Sequence, residues 1–277
     1  MEHLNLSLIV ALLGGIVDLD STAAVQCMIS QPIVAAPLTG LIVGSMLDDS
    51  SSGLTLGLMI GLILQLTWIE QLPLGMNVPP DAALASVLSV ALGFCAGHEF
   101  DYAKREACYT IGLLVSVALG LIGRSLDMFV RRLNTSIDSW VNLQIEDNKF
   151  NSIIFGHISG GFITFIKAFI FCFLVIWFGV EPLKTFTSLM SVFHCGGFVV
   201  LQGLLPAVGF SVLASMYLKT KKETIYFAAA IIGFTLINAF INIESYFYIT
   251  IALLISLITM CITGYTSTKT RSKRGKK

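Results

Sequence analysis

Gln65, Trp68, Glu70, Asn77 and Asp81 bring hydrogen-bonding groups and one indole into a stretch that also holds Pro73, Gly75, Pro79 and Pro80. Three prolines cannot sit inside one regular helix, because each lacks an N–H and disfavours helical geometry in the residue before it. The stretch leaves one apolar segment and re-enters another at Ala82. Non-helical backbone at membrane depth persists only where protein buries it or where it lines a wet cavity, and polar groups beside such breaks form transport sites. The chemistry on offer is therefore recognition of a polar solute through hydrogen bonds, with no covalent step.

Other reactive side chains are more scattered. Asp18 and Asp20, two residues apart, point to different sides of a helix and have no third ligand nearby, so a loop or interface position is expected and no metal site. His98, His157 and His194 stand apart in sequence and read as satisfied hydrogen-bonding histidines. Lys167 lies deep in an apolar run, where it either snorkels to an interface or pairs with an acid across helices. The six cysteines are single and mostly within apolar runs, as small buried hydrophobes are. There is no nucleotide cradle, Ser/His/Asp constellation or zinc spacing, so enzymatic chemistry and a cofactor are not expected.

The elements that must position these groups belong to a membrane. Hydrophobic residues make up 55% of the 277 and charged residues 12%, where soluble domains carry about 25%; mean hydropathy is +0.84. The fold class expected is an all-α polytopic integral membrane protein. Apolar runs cover residues 6–17, 32–46, 82–97, 109–122, 153–180, 186–217, 225–241 and 246–264. The first two are short enough to suggest re-entrant or tilted elements. Gly53, Gly57 and Gly61 share one helical face and read as a close-packing surface.

Residues 1–265 form a single polytopic domain in this reading. Its first half spans about 1–123, an amphipathic charged connector about 124–152, and the second half about 153–265. Arg124, Arg131 and Arg132 beside Phe129, Val130 and Leu133 suit a connector lying on a cytoplasmic face. Each half holds a Gly/Pro-interrupted apolar segment, around Pro79–Pro80 and around Pro206, as transporters built from inverted repeats do. The basic tail 266–277 and the Lys219, Lys221 and Lys222 cluster place the C-terminus in the cytoplasm by the positive-inside rule, with no nucleic-acid partner. The N-terminus lacks a basic n-region and cleavage site, so the first run is expected to stay in the mature protein.

The runs Gln31-Pro32-Ile33-Val34-Ala35-Ala36-Pro37-Leu38-Thr39-Gly40, Leu72-Pro73-Leu74-Gly75 and Val78-Pro79-Pro80-Asp81-Ala82-Ala83-Leu84-Ala85-Ser86 resemble the IIC subunit of the mannose/fructose/sorbose family of the bacterial sugar phosphotransferase system. His157 with Lys167, Gly196-Gly197 and Leu205-Pro206-Ala207-Val208-Gly209-Phe210 are similar to that family's second half. The resemblance implies an elevator-type permease subunit in the bacterial cytoplasmic membrane. It pairs with a IID membrane subunit as a trimer of pairs, and passes a hexose or amino sugar inward for phosphorylation by IIB, which works with IIA. Two positions depart from the family: Gln65 stands where many members have glutamate, and Gln31 where arginine is common. Both lose charge and keep hydrogen-bonding capacity.

A sugar needs hydrogen bonds to its hydroxyls and an aromatic face against its C–H side. Asp81 and Gln65 are assigned to hydroxyls, with Asn77 and Glu70 assisting and Trp68 stacking. Asp81 also reads as the N-cap of the helix beginning at Ala82, and Trp68 as an interfacial anchor. The competing functions are a transporter or channel for another solute, and a membrane scaffold without transport.

Overall fold

The computed structural model describes residues 2–23, 26–69 and 78–240, which are helical apart from short links. Glu70, Pro73, Gly75 and Asn77, the run 246–264 and the basic tail lie outside the described residues. Contacts divide the chain into Met1–Leu213 and Ala214–Lys277.

In the first unit, α1 is Glu2–Thr22, α2 Pro32–Met46, α3 Ser50–Thr67, α4 Ala82–Gly97, α5 Tyr102–Glu146 and α6 Asn151–Leu189; α7 begins there at Val192 and ends at Tyr217 in the second. By length and composition α1, α3, α5, α6 and α7 can cross a membrane, while α2 and α4 are shorter apolar helices. The chain is a multi-pass membrane protein.

Three boundaries differ from the sequence expectation. The first run is no short element, because Asp18 and Asp20 fall inside α1 and let it continue to Thr22. The charged stretch from Arg124 continues α5 as one 45-residue helix. Pro206 does not break α7, which stays helical from Val192 to Tyr217. One missing N–H in a helix is absorbed by small local adjustments of the neighbouring backbone, whereas the Pro79-Pro80 pair stands in a non-helical link.

Glycine sets how closely these helices approach. A Cβ on Gly57 would lie 2.5 Å from the carbonyl oxygen of Ala36, and one on Gly61 2.7 Å from that of Pro32. Gly53 and Gly40 meet backbone to backbone in the same way. The face read from Gly53, Gly57 and Gly61 is thus the α2–α3 contact, where association depends on close backbone packing. Asp49 caps α3 by accepting the Ser52 N–H at 3.1 Å.

α4 is the centre of the unit. Fifteen of its sixteen residues, all but Ala82, are buried, and it packs against α1, α2, α3, α5 and α6. On α5 the small residues Gly112, Ser116, Gly120 and Gly123 recur at helical spacing and are buried. On α6 the buried face is Thr164, Ala168, Cys172, Ile176 and Val180, four residues apart. Gly14 and Gly15 of α1 seat against Cys172 and Phe165 of α6.

Within the second unit, α8 spans Lys221–Phe240. Thr220 and Glu223 form a capping box: Glu223 Oε2 accepts the Thr220 N–H at 2.8 Å, and Thr220 Oγ1 accepts the Glu223 N–H at 3.4 Å.

Candidate functional site

The non-helical link before α4 brings Asp81 to the bundle interior. Asp81 Oδ1 accepts the Leu84 N–H at 2.9 Å, so the residue is the N-cap expected. Its own N–H donates to the Gly120 carbonyl at 3.0 Å. A Cβ on Gly123 would sit 2.7 Å from the Cβ of Asp81, so only glycine there lets α5 come this close.

The second carboxylate oxygen of Asp81 faces Lys167. The Lys167 Nζ lies 3.6 Å from Asp81 Oδ2, 2.7 Å from Asp18 Oδ2 and 2.7 Å from Asp127 Oδ1. The Lys167, Asp18 and Asp81 side chains are all but shut off from solvent, whereas that of Asp127 is 30% exposed. One ammonium from α6 therefore holds carboxylates from α1, α5 and the head of α4. The three carboxylates converge within 4.8 Å, a donor set of the kind that binds a hard cation. The cation found among them is the lysine, and this pairing is what makes buried charge tolerable.

Of the two readings of Lys167, pairing across helices is the one realised. The expected loop or interface position of Asp18 is overturned: it is buried in α1 on the Gly14 face, one turn further on. Asp20 is also buried, and its carboxylate accepts the N–H groups of Cys27 at 2.6 Å and Ser30 at 3.0 Å. It thereby holds the link to α2, which carries left-handed backbone at Gln26 and Met28. Asp127 was missed, because it lies in a charged stretch that reads as a surface. A signal existed: the small-residue stripe Gly112, Ser116, Gly120 and Gly123 of α5 reaches Asp127 at the next turn.

An open-mouthed cavity of about 170 Å³ adjoins this cluster, room for on the order of ten waters. Its walls include Asp18, Gln31, Gln65, Trp68, Asp81 and Asp127, with Pro79 and Pro80 along the same side. Gln65, Trp68 and Asp81 are thus brought together around one space. Gln65 Nε2 donates to Gln31 Oε1 at 3.1 Å, and Gln65 Oε1 accepts the Ile33 N–H at 3.4 Å. The two glutamines are bonded to each other, and Gln65 satisfies an N–H in the first turn of α2. Trp68 ends α3 with its ring beside Gly120.

Of the histidines, His98 Nδ1 lies 3.2 Å from the Cys95 carbonyl oxygen and His194 Nδ1 lies 2.7 Å from Ser191 Oγ. His157 instead lines a second cavity.

The family model described as the sorbose-specific IIC component of the phosphotransferase system (PTS) matches residues 5–262. The mannose-specific EIIC component of Escherichia coli (strain K12) is 23% identical over 187 residues, covering 67% of this chain and 64% of that protein. The fructose permease IIC component of Bacillus subtilis (strain 168) is 25% identical over 212 residues, covering 75% and 72%. The chain thus spans just under two thirds of the mannose-specific relative's length. Among solved structures, one described as a membrane protein covers 93% of this chain and 94% of its own, with 21% identity and a TM-score of 0.63. The mannose transporter ManYZ, solved with microcin E492, covers 95% and 94% with 20% identity and a TM-score of 0.50. Both share the fold. Residues 5–262 being matched end to end, the chain belongs to the family of sorbose-type IIC components of the phosphotransferase system.

Proposed function

We propose that this chain is the sugar-translocating IIC subunit of a mannose-family permease, carrying a hexose or amino sugar across the bacterial cytoplasmic membrane. The observation that carries the reading is the cavity in which Gln31, Gln65, Trp68 and Asp81 meet beside a buried acid–lysine cluster. Carboxamides and carboxylates there supply hydroxyl partners, and the Trp68 indole supplies the apolar face a pyranose ring needs. Glu70 and Asn77 complete the set by their place in sequence. The related proteins are named for mannose and fructose, which supports a hexose-like solute.

In this reading the chain works with a IID membrane subunit, in a trimer of such pairs, and cytoplasmic IIA and IIB proteins carry the phosphoryl group. The helices bearing the site move as a body against a fixed scaffold, and the basic C-terminal tail faces the cytoplasm. Phosphorylation of the arriving sugar by IIB makes uptake irreversible.

The test is uptake of radiolabelled mannose, fructose, sorbose and glucosamine by cells expressing the chain with its IID, IIA and IIB proteins. Asp81→Asn keeps an N-capping side chain and removes the charge. Normal assembly with IID and loss of uptake are expected. Wild-type uptake by Asp81→Asn overturns the site, and uptake of none of the four sugars by the unaltered chain overturns the function.

A further inference from the structure

A second cavity, of about 530 Å³, lies between α5 and α6 beside the end of α1. Its polar wall is Arg131, Asn134 and Asp138 on α5 and His157 and Thr164 on α6, and Thr22 and Arg131 belong to both cavities. Asn134 Oδ1 is cut off from water and accepts no hydrogen bond. That oxygen is turned against the α6 backbone at Gly160 and is closed to a solute, so the acceptor facing the cavity is the Asp138 carboxylate.

The floor of this cavity is glycine. Gly156, Gly160 and Gly161 all line it. A Cβ on Gly161 would meet nothing closer than Leu19 Cδ2 at 4.0 Å, and one on Gly160 only the Asn134 carboxamide at 3.5 Å. These two glycines therefore keep space open, unlike Gly156, where Val141 Cγ2 would stand 2.6 Å from a Cβ.

We propose that this cavity is a second sugar station, joined to the first through Arg131 and Thr22, and that solute occupies it in passage. The inference rests on the sugar-transport reading above. Arg131 and His157 supply donors and Asp138 an acceptor to the hydroxyls of a neutral polyol-like solute, and Arg131, which lines both cavities, is placed to keep its hold as the sugar moves from one to the other.

The experiment uses the full chain co-expressed with IID in membrane vesicles, with radiolabelled mannose, fructose, sorbose and glucosamine as probes for binding and, with IIA and IIB present, for uptake. Gly161→Leu projects a side chain into open space and fills the second cavity only. Binding within about twofold of the unaltered chain and uptake lowered at least about tenfold, equivalent to 1.4 kcal/mol at the barrier, are expected. Uptake within about twofold of the unaltered chain overturns the proposal, being well inside that tenfold step. Should Gly161→Leu fail to co-purify with IID, Asp138→Ala and His157→Ala carry the test: lowered uptake with retained binding supports a second station, and unchanged uptake in both overturns it. If the unaltered chain binds none of the probes, the sugar-transport reading fails first, and the proposal with it.

Discussion

The Nζ of Lys167 on α6 lies 2.7 Å from Oδ2 of Asp18 on α1, although 149 residues separate them in the chain. This contact joins the first helix of the bundle to its sixth at the depth where α4 begins, and Asp81 and Asp127 share the same ammonium. The four charges are thus one unit, and their partners come from separate elements.

Lys167→Met leaves three carboxylates around an apolar side chain. Removing one member of a buried ion pair costs about 3–5 kcal/mol, because the charge left behind has no water to return to. A lower melting temperature in detergent and poor recovery with IID are expected. Asp18→Asn in the same chain removes one stranded charge and restores part of the loss, since contacting residues couple. A melting temperature unchanged in Lys167→Met rules out the cluster as a structural tie.

Glu99, in the turn between α4 and α5, accepts a hydrogen bond from Lys184 near the end of α6. That bond and the ammonium charge hold its carboxyl below the usual carboxylate range. The folded pKa is lower than the unfolded one, so the stabilisation is full above the ordinary glutamate value of about 4.3 and fades as pH falls through the folded value. Glu99→Gln therefore melts slightly lower than the unaltered protein at pH 7, by a small amount because the pair is exposed. The two melting curves converge as pH falls through the folded value, where the carboxyl takes up its proton. A difference that persists at acid pH shows that the glutamine acts through packing instead.

How much of this was written in the sequence depends on which force set each feature. The helices are legible because burial in lipid demands long apolar runs, and the α2–α3 face is legible because Gly53, Gly57 and Gly61 leave one spacing in view. Asp81 as a cap is a local fact, settled within three residues. Lys167 announces that it needs acids, yet the choice of Asp18 and Asp127 depends on how α1, α5 and α6 lie side by side. No local pattern fixes that choice, although Asp127 continues the small-residue stripe of α5. Pro206 misled for the converse reason: a proline's effect on a membrane helix depends on its neighbours, and α7 absorbs it.

Cys27 reports on the link between α1 and α2. Its thiol donates to Asp20 Oδ1 at 3.1 Å, and the hydrogen bond to that carboxylate raises its pKa. Less thiolate is present at a given pH, and thiolate is the reactive form. Asp20→Asn removes the charge, so the thiol pKa falls back and maleimide labelling of Cys27 becomes faster at pH 7, with the two rates converging only above the raised pKa of the unaltered thiol. Among the described cysteines Cys27 alone is exposed, so Cys27→Ser supplies the labelling background. Equal rates at pH 7 mean that Asp20 does not hold this link.

The Gln31–Gln65 hydrogen bond joins two neutral side chains at the mouth of the first cavity, where the family resemblance leads one to expect an arginine and a glutamate. A neutral pair at 3.1 Å contributes about 1 kcal/mol, and a charge-assisted pair roughly twice that. Gln65→Glu alone adds a carboxylate to a cavity already walled by Asp18, Asp81 and Asp127, and Gln31→Arg alone adds a guanidinium that competes with Lys167 for those carboxylates. Each single change is expected to lower uptake of the transported sugar and the melting temperature. The double change pairs the new charges, recovers most of both, and gives a coupling energy of about 1 kcal/mol or more in a double-mutant cycle. Simple additivity shows that the two glutamines touch without depending on each other, and the cavity's tolerance for losing the charged pair then has to lie in Asp81 and Trp68.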